Sequence, residues 1–180
     1  MDRIIRSAIG EGQPFSGEQV GRLGSPCKVY RSRDLGRFHT LKDAWGPSKA
    51  LAVLYETGLN YGHWCCIWRS GPHSVNFFDS YALQPDTELK SVGWSFRRSE
   101  TGRLQARKDV SRLLQQAQDT GDTIIYNNAA LQGPRTNSCG RFCGLRLALR
   151  HLSDEEFAGL FLGQKYTPDE LVTMLTMFVS

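Results

Sequence analysis

Cys139 is the residue whose setting most favours chemistry. It stands in Asn137-Ser138-Cys139-Gly140, directly ahead of a stretch with helical periodicity. A helix N-terminus carries partial positive charge and unsatisfied N–H groups, which favour a thiolate and can hold an oxyanion formed beside the sulfur. The same local pattern also fits a small buried cysteine at a tight turn. A thiol nucleophile needs a base, and the chain has four histidines. His39 falls in a segment without clear periodicity, His73 in a turn, and His151 too far along the Cys139 helix to meet the sulfur. His63 remains, at the start of an apolar strand beside Trp64, where a merely packed imidazole is the plain alternative. Such a base needs an acceptor to orient it. Asp79 closes Phe77-Phe78-Asp79, where a carboxylate is costly unless paired or exposed; a turn-capping role ahead of Ser80 is its alternative. Gln132 precedes Cys139 by seven residues, in Leu131-Gln132-Gly133-Pro134. Folding back at the Gly-Pro turn would bring its amide to the thiol as a second oxyanion donor, although a loop glutamine is more commonly just solvated.

These residues must be positioned by elements. Ser16 with Gln19 has the form of a capping box and predicts a short helix over 17–23. Residues 24–40 carry no clear pattern. Pro47 and Ser48 predict a helix through Tyr55, with Leu51, Val53, Leu54 and Tyr55 as its apolar side, ended by Gly58 and Gly62. Residues 63–69 read as a strand, 70–74 as a turn, and 75–79 as the antiparallel partner. That hairpin puts His63 and Asp79 near the same end. Helical spacing over 104–117 places Ala106, Val110, Leu113, Leu114 and Ala117 on one face. Residues 123–126 form a β-branched strand. A helix over 140–152 follows, with Phe142, Leu145, Leu149 and Leu152 in a stripe. Capping boxes at Ser153/Glu156 and Thr167/Glu170 start two more helices, the last packing through Leu171, Leu175 and Phe178. The expected fold class is α+β: one domain over 1–180, a small mixed or antiparallel sheet flanked by helices, and Cys139 at a helix N-terminus. Residues 1–15 read as a flexible arm.

The other cysteines have plain readings. Cys65 and Cys66 are strand neighbours and point to opposite faces, and Cys27 lies in the unassigned segment. Cys143 is one helical turn from Cys139, so a zinc site shared with a histidine is geometrically conceivable, but no second spaced pair exists to complete it; no metal is expected. Arg97, Arg98, Arg103, Arg107, Lys108 and Arg112 form a basic run. A solvated helix face is its ordinary explanation, and a DNA contact the alternative.

Residues 131–143, Leu-Gln-Gly-Pro-Arg-Thr-Asn-Ser-Cys-Gly-Arg-Phe-Cys, resemble the active-site segment of adenain, the adenovirus maturation protease. His63-Trp64, Trp68 four residues on and an acid sixteen residues after the histidine are similar to the same family. The order His, acid, Gln, Cys is that of the wider Ulp/SENP group of ubiquitin-like-protein proteases; papain-like enzymes place Cys before His. The resemblance covers about residues 45–152. It implies Cys139 as nucleophile, His63 as base, Asp79 as orienter, and Gln132 with the Cys139 N–H as oxyanion donors. It also implies Trp64 as the wall of a narrow channel that favours glycine near the cleaved bond. Adenain has Glu where this chain has Asp79, as the Ulp/SENP group does. Adenain's activating peptide attaches through a cysteine ahead of the Gln motif. This chain has none between Cys66 and Cys139, so that attachment is not carried over. The family's use of DNA as a cofactor gives the basic run its second meaning; DNA or a peptide stays open as an activator, and no cofactor is required by the sequence.

Composition bounds the answer. A chain of 180 residues with 40% hydrophobic and 11% aromatic residues can bury a real core. A net charge of +4 permits nucleic-acid contact without indicating it. No window approaches the ~20 consecutive apolar residues of a membrane span, and the N-terminus lacks the pattern of a secretory signal. The five cysteines therefore read as reduced intracellular thiols. The expected function is a cysteine endopeptidase cleaving structural precursor proteins of a DNA virus or virus-like element. Such an enzyme would act in the nucleus or cytoplasm, or packaged in the particle, and not be secreted or membrane-bound. A deconjugase of ubiquitin-like modifiers, and an inactive DNA-binding or scaffold protein, are the alternatives.

Overall fold

A computed structural model describes residues 14–58, 61–87 and 108–179. In chain order these form α1 (Gly17–Leu23), β1 (Lys28–Arg31), a 3-10 turn (Ser32–Arg37), α2 (Leu41–Trp45), a second 3-10 turn (Gly46–Ser48), β2 (Ala50–Gly58) and β3 (Tyr61–Gly71). There follow β4 (Ser74–Asp79), α3 (Asp109–Asp119), β5 (Thr123–Tyr126), α4 (Cys139–Ala148), α5 (Asp154–Gly159) and α6 (Pro168–Thr176).

The strands make one mixed sheet in the order β1-β2-β3-β4-β5. β2, β3 and β4 pair antiparallel, while β1 and β5 add parallel at the two edges. The parallel additions need crossovers, which the 3-10 turn and α2 supply on one side and α3 on the other. The sheet separates two cores. One face carries Trp64, Cys66, Trp68 and Phe78 against Phe142, Leu147, Phe157 and Phe161. The other carries Leu51, Val53, Cys65, Ile67 and Phe77 against Leu41, Trp45, Val110 and Leu113. Cys65 and Cys66 fall on opposite faces, as strand alternation requires.

The α+β class with helices on a small mixed sheet is as expected, and so are the β3–β4 hairpin and the capping boxes at Ser16, Ser153 and Thr167. The expected helix over 47–55 is instead mostly β2. Pro47 and Ser48 open only a 3-10 turn, and Lys49 takes a left-handed backbone before the strand begins. Ala50, Leu51, Ala52 and Val53 are all fully buried, because this central strand is covered on both faces. The Cys139 helix ends at Ala148 rather than Leu152. On α6, Leu171 packs on the core as expected, but Leu175 is exposed, as is Phe178 beyond the helix end, and the buried face is completed by Val172, Thr173 and Thr176. Of the expected arm, residues 1–13 lie outside the described residues, and Phe15 is buried.

Candidate active site

The β3–β4 register fixes the first pair. Cys65 stands opposite Asp79. His63, two residues before Cys65 on the same face, is therefore the diagonal neighbour of Asp79. The side chains meet: His63 Nε2 donates to Asp79 Oδ2 at 2.7 Å, with both residues buried. Continuing the register past the end of β4 would bring Tyr81 opposite His63, and its ring stacks on the imidazole at 5.2 Å between centroids.

Asp79 is itself held on every side. Its Oδ1 accepts the Tyr81 N–H at 2.8 Å. Its backbone N–H donates to Asn127 Oδ1 at 2.9 Å, and its carbonyl accepts from Asn127 Nδ2 at 2.8 Å. Asn127, just past β5, thus continues the β4–β5 ladder with a side chain.

Cys139 begins α4, and its side chain lines a cleft of about 380 Å³ shared with Phe15, Gly17, Leu54, Gly62 and Trp64. Trp64 donates its indole N–H to the Phe15 carbonyl at 3.2 Å, fixing the ring as a wall. Gly140 lets these pieces close: a Cβ there would stand 2.8 Å from Phe15 Cβ and 3.1 Å from Trp64 Cδ1.

The histidine reports the electrostatics. Burial of the ring works against its charge, but hydrogen bonds to Asp79 and to Cys139, with the charges of both, outweigh it and raise its pKa to about 10. His63 is thus an imidazolium at neutral pH, hydrogen-bonded to a carboxylate and with its charged form further favoured by the Cys139 sulfur. Burial pushes Cys143 well above its ordinary range, and its Sγ donates to the Cys65 carbonyl at 3.3 Å. Burial also raises Cys27, to about 11. Among the described residues, no group of three or more His, Cys, Asp and Glu could hold a metal ion.

Gln132 is buried on the loop that joins β5 to α4. The loop is pinned to the end of β4, where the Ser80 carbonyl accepts from the N–H groups of Leu131 and Gln132. Ser80 Oγ donates to Gln132 Oε1 at 2.6 Å, and Gln132 Nε2 donates to the Thr136 carbonyl at 2.8 Å. The amide is oriented, with one of its two N–H groups used by the loop.

The basic run divides. Arg97, Arg98, Arg103 and Arg107 lie outside the described residues. Lys108 is exposed just before α3. Arg112 bonds Asp109 and the carbonyls of Leu35 and Phe38, tying α3 to the 3-10 turn after β1. Sequence reasoning missed Tyr81, Ser80 and Asn127. Asn127 had a signal, an amide directly after a β-branched strand; the register that aims Tyr81 exists only once the hairpin is paired.

The chain is 37% identical over 162 residues to the uncharacterized protein V9 of Sputnik virophage, across 86% of this chain and 89% of that protein. No family model matches the chain, and no solved structure matches it.

Proposed function

The chain belongs to the family of Sputnik virophage protein V9, and from that premise we propose that it is a cysteine endopeptidase acting on structural precursor proteins of a virus or virus-like element. One observation carries the reading: a buried histidine hydrogen-bonded to a carboxylate, its charged form further favoured by a cysteine at a helix N-terminus. In the reaction, the Cys139 sulfur attacks the scissile carbonyl carbon. The carbonyl oxygen becomes an oxyanion, held by the Cys139 N–H and the Gln132 amide. His63 passes its proton to the leaving amine as the C–N bond breaks, leaving a thioester. Water then attacks the thioester, giving its proton to His63, and the thiolate leaves. Asp79 holds the ring in register throughout. The wall that Trp64 makes beside Cys139 supports a preference for glycine next to the cleaved bond.

The test is cleavage of two substrates, a virophage capsid precursor and a ubiquitin-like modifier with a Gly-Gly tail. Wild type is expected to cut the precursor, Cys139→Ala to cut nothing, and Cys143→Ala to keep its rate. Gln132→Ala is expected to lose roughly 10²–10³-fold in kcat, the usual loss for one oxyanion donor, with little change in KM. Cleavage of the modifier alone would move the assignment to deconjugation. Activity that survives Cys139→Ala would overturn the reading.

A further inference from the structure

The loop that carries Gln132 is tied at its far side to a residue outside the segment that resembles adenain. Asp169, in the first turn of α6, is an acidic residue that is buried. Its Oδ2 accepts the Gly133 N–H at 2.8 Å, and its Oδ1 accepts the Thr136 hydroxyl at 2.8 Å together with the Ser138 hydroxyl. Three donors from one short loop thus converge on one carboxylate. Gly133 is shaped for this approach, since a Cβ there would meet Asp169 Oδ2 at 3.0 Å.

An acidic residue in a first helical turn ordinarily complements the helix dipole from the solvent side. Here that task has other hands: Thr167 and Glu170 form the capping box of α6. Asp169 is turned inward instead, and a buried carboxylate with three donors is costly to build unless the groups it gathers must be held. The consequence shows at Ser138. Serine is among the best N-cap residues, yet Ser138 takes a helical backbone and makes no side-chain cap on α4. Its hydroxyl is spent on Asp169. The first-turn N–H groups of α4, which include that of Cys139, are thus not capped by the Ser138 hydroxyl at the place where a carbonyl oxygen would develop charge.

We propose that Asp169 is a positioning residue that builds the oxyanion site from the far end of the chain, by gathering Gly133, Thr136 and Ser138 so that Gln132 is oriented and the Ser138 hydroxyl is kept off the start of α4. The proposal rests on the cysteine-endopeptidase reading. It separates two properties of the site. Asp169 bonds the oxyanion loop and none of His63, Asp79 or the Cys139 sulfur. Its loss therefore weakens reactions that pass through an oxyanion and spares those that need only the thiolate.

The experiment compares two reactions of Cys139 in the full chain. Acylation by p-nitrophenyl acetate forms a tetrahedral oxyanion; alkylation by iodoacetamide does not. Asp169→Ala is expected to slow acylation roughly 10–100-fold, the scale of a misplaced catalytic group, and to leave the alkylation rate and its pH profile within about twofold. Asp169→Asn, which keeps an acceptor oxygen, is expected to recover part of the loss. Ser138→Ala, which removes a single bond, is expected to lose acylation in the same direction. If Asp169→Ala does not fold by thermal unfolding, the other two variants carry the comparison. Unchanged acylation in the folded variants, or equal losses in both reactions, would overturn the proposal alone. A wild type whose ester reaction is no faster than that of Cys139→Ala would overturn the endopeptidase reading along with it.

Discussion

His63 stays charged because two partners outweigh its burial. That has a signed consequence for stability. The folded pKa of about 10 lies above the ordinary value of 6.5. A group raised in this way binds its proton more tightly in the folded chain. Its contribution is complete below the unfolded value, near pH 6.5, and is lost as pH rises through about 10. Asp79→Asn removes the carboxylate that holds the proton. The stability gap between wild type and Asp79→Asn is therefore expected to be widest near pH 6 and to narrow steadily toward pH 10.5, read by urea unfolding at several pH values. A gap that widened with pH would show that the imidazole is neutral in the fold. At the same scale, Cys143 differs from Cys139 in its surroundings: its thiol is wholly buried, and its hydrogen goes to a backbone carbonyl.

The β2–β3 pair is the element that aims His63, and Gly62 sets how closely the two strands meet beside it. A Cβ at this position would lie 2.4 Å from the Tyr55 carbonyl oxygen and 2.6 Å from Leu54 Cδ1. Tyr55 is the register partner of His63. Gly62→Ala must push β2 away at the very pair that holds His63. The expected cost is about 1–3 kcal/mol, the range for overpacking, or a drop in Tm of roughly 2–12 °C. Thermal unfolding measures it, and an unchanged Tm would mean that the strand yields freely. Elements also decide what could be read from residues alone. The hairpin was legible because its turn and its two apolar runs are local signals, and with it came the His63–Asp79 pairing. The capping boxes were legible for the same reason. β2 was not, because a strand covered on both faces shows an unbroken apolar run with no alternation, which a buried helix shares. Asp169 was hidden differently. Thr167-Pro168-Asp169-Glu170 explains itself as a helix start, and nothing local says that the middle acid turns inward to a loop more than thirty residues earlier.

At the scale of the whole molecule, α4 has two ends with separate tasks. Its first residue is Cys139; near its last turn stands Arg146, almost wholly buried. The Arg146 guanidinium lies 4.4 Å over the Trp68 ring of the sheet and 4.9 Å from the Phe157 ring of α5. It donates to the carbonyls of Leu149 and Leu152 at 3.1 Å each and to Asp154 at 2.9 Å. One cation thus closes the end of the Cys139 helix, starts α5 and caps the aromatic core between them. Arg146→Met keeps much of the stem's packing but leaves two carbonyls and a carboxylate without their donor. Breaking a buried pair costs about 3–5 kcal/mol, so Tm is expected to fall by roughly 6–20 °C. Asp154→Asn is expected to cost less, since Asp154 is partly exposed and the two carbonyl bonds survive. Arg146 lies about 10 Å along the helix from Cys139 at 1.5 Å per residue. Below its melting range, Arg146→Met is therefore expected to alkylate with iodoacetamide at the wild-type rate. A stable Arg146→Met would place the hold on α4 in its apolar face instead. Slow alkylation in a folded Arg146→Met would mean that the far end of the helix helps to set the site.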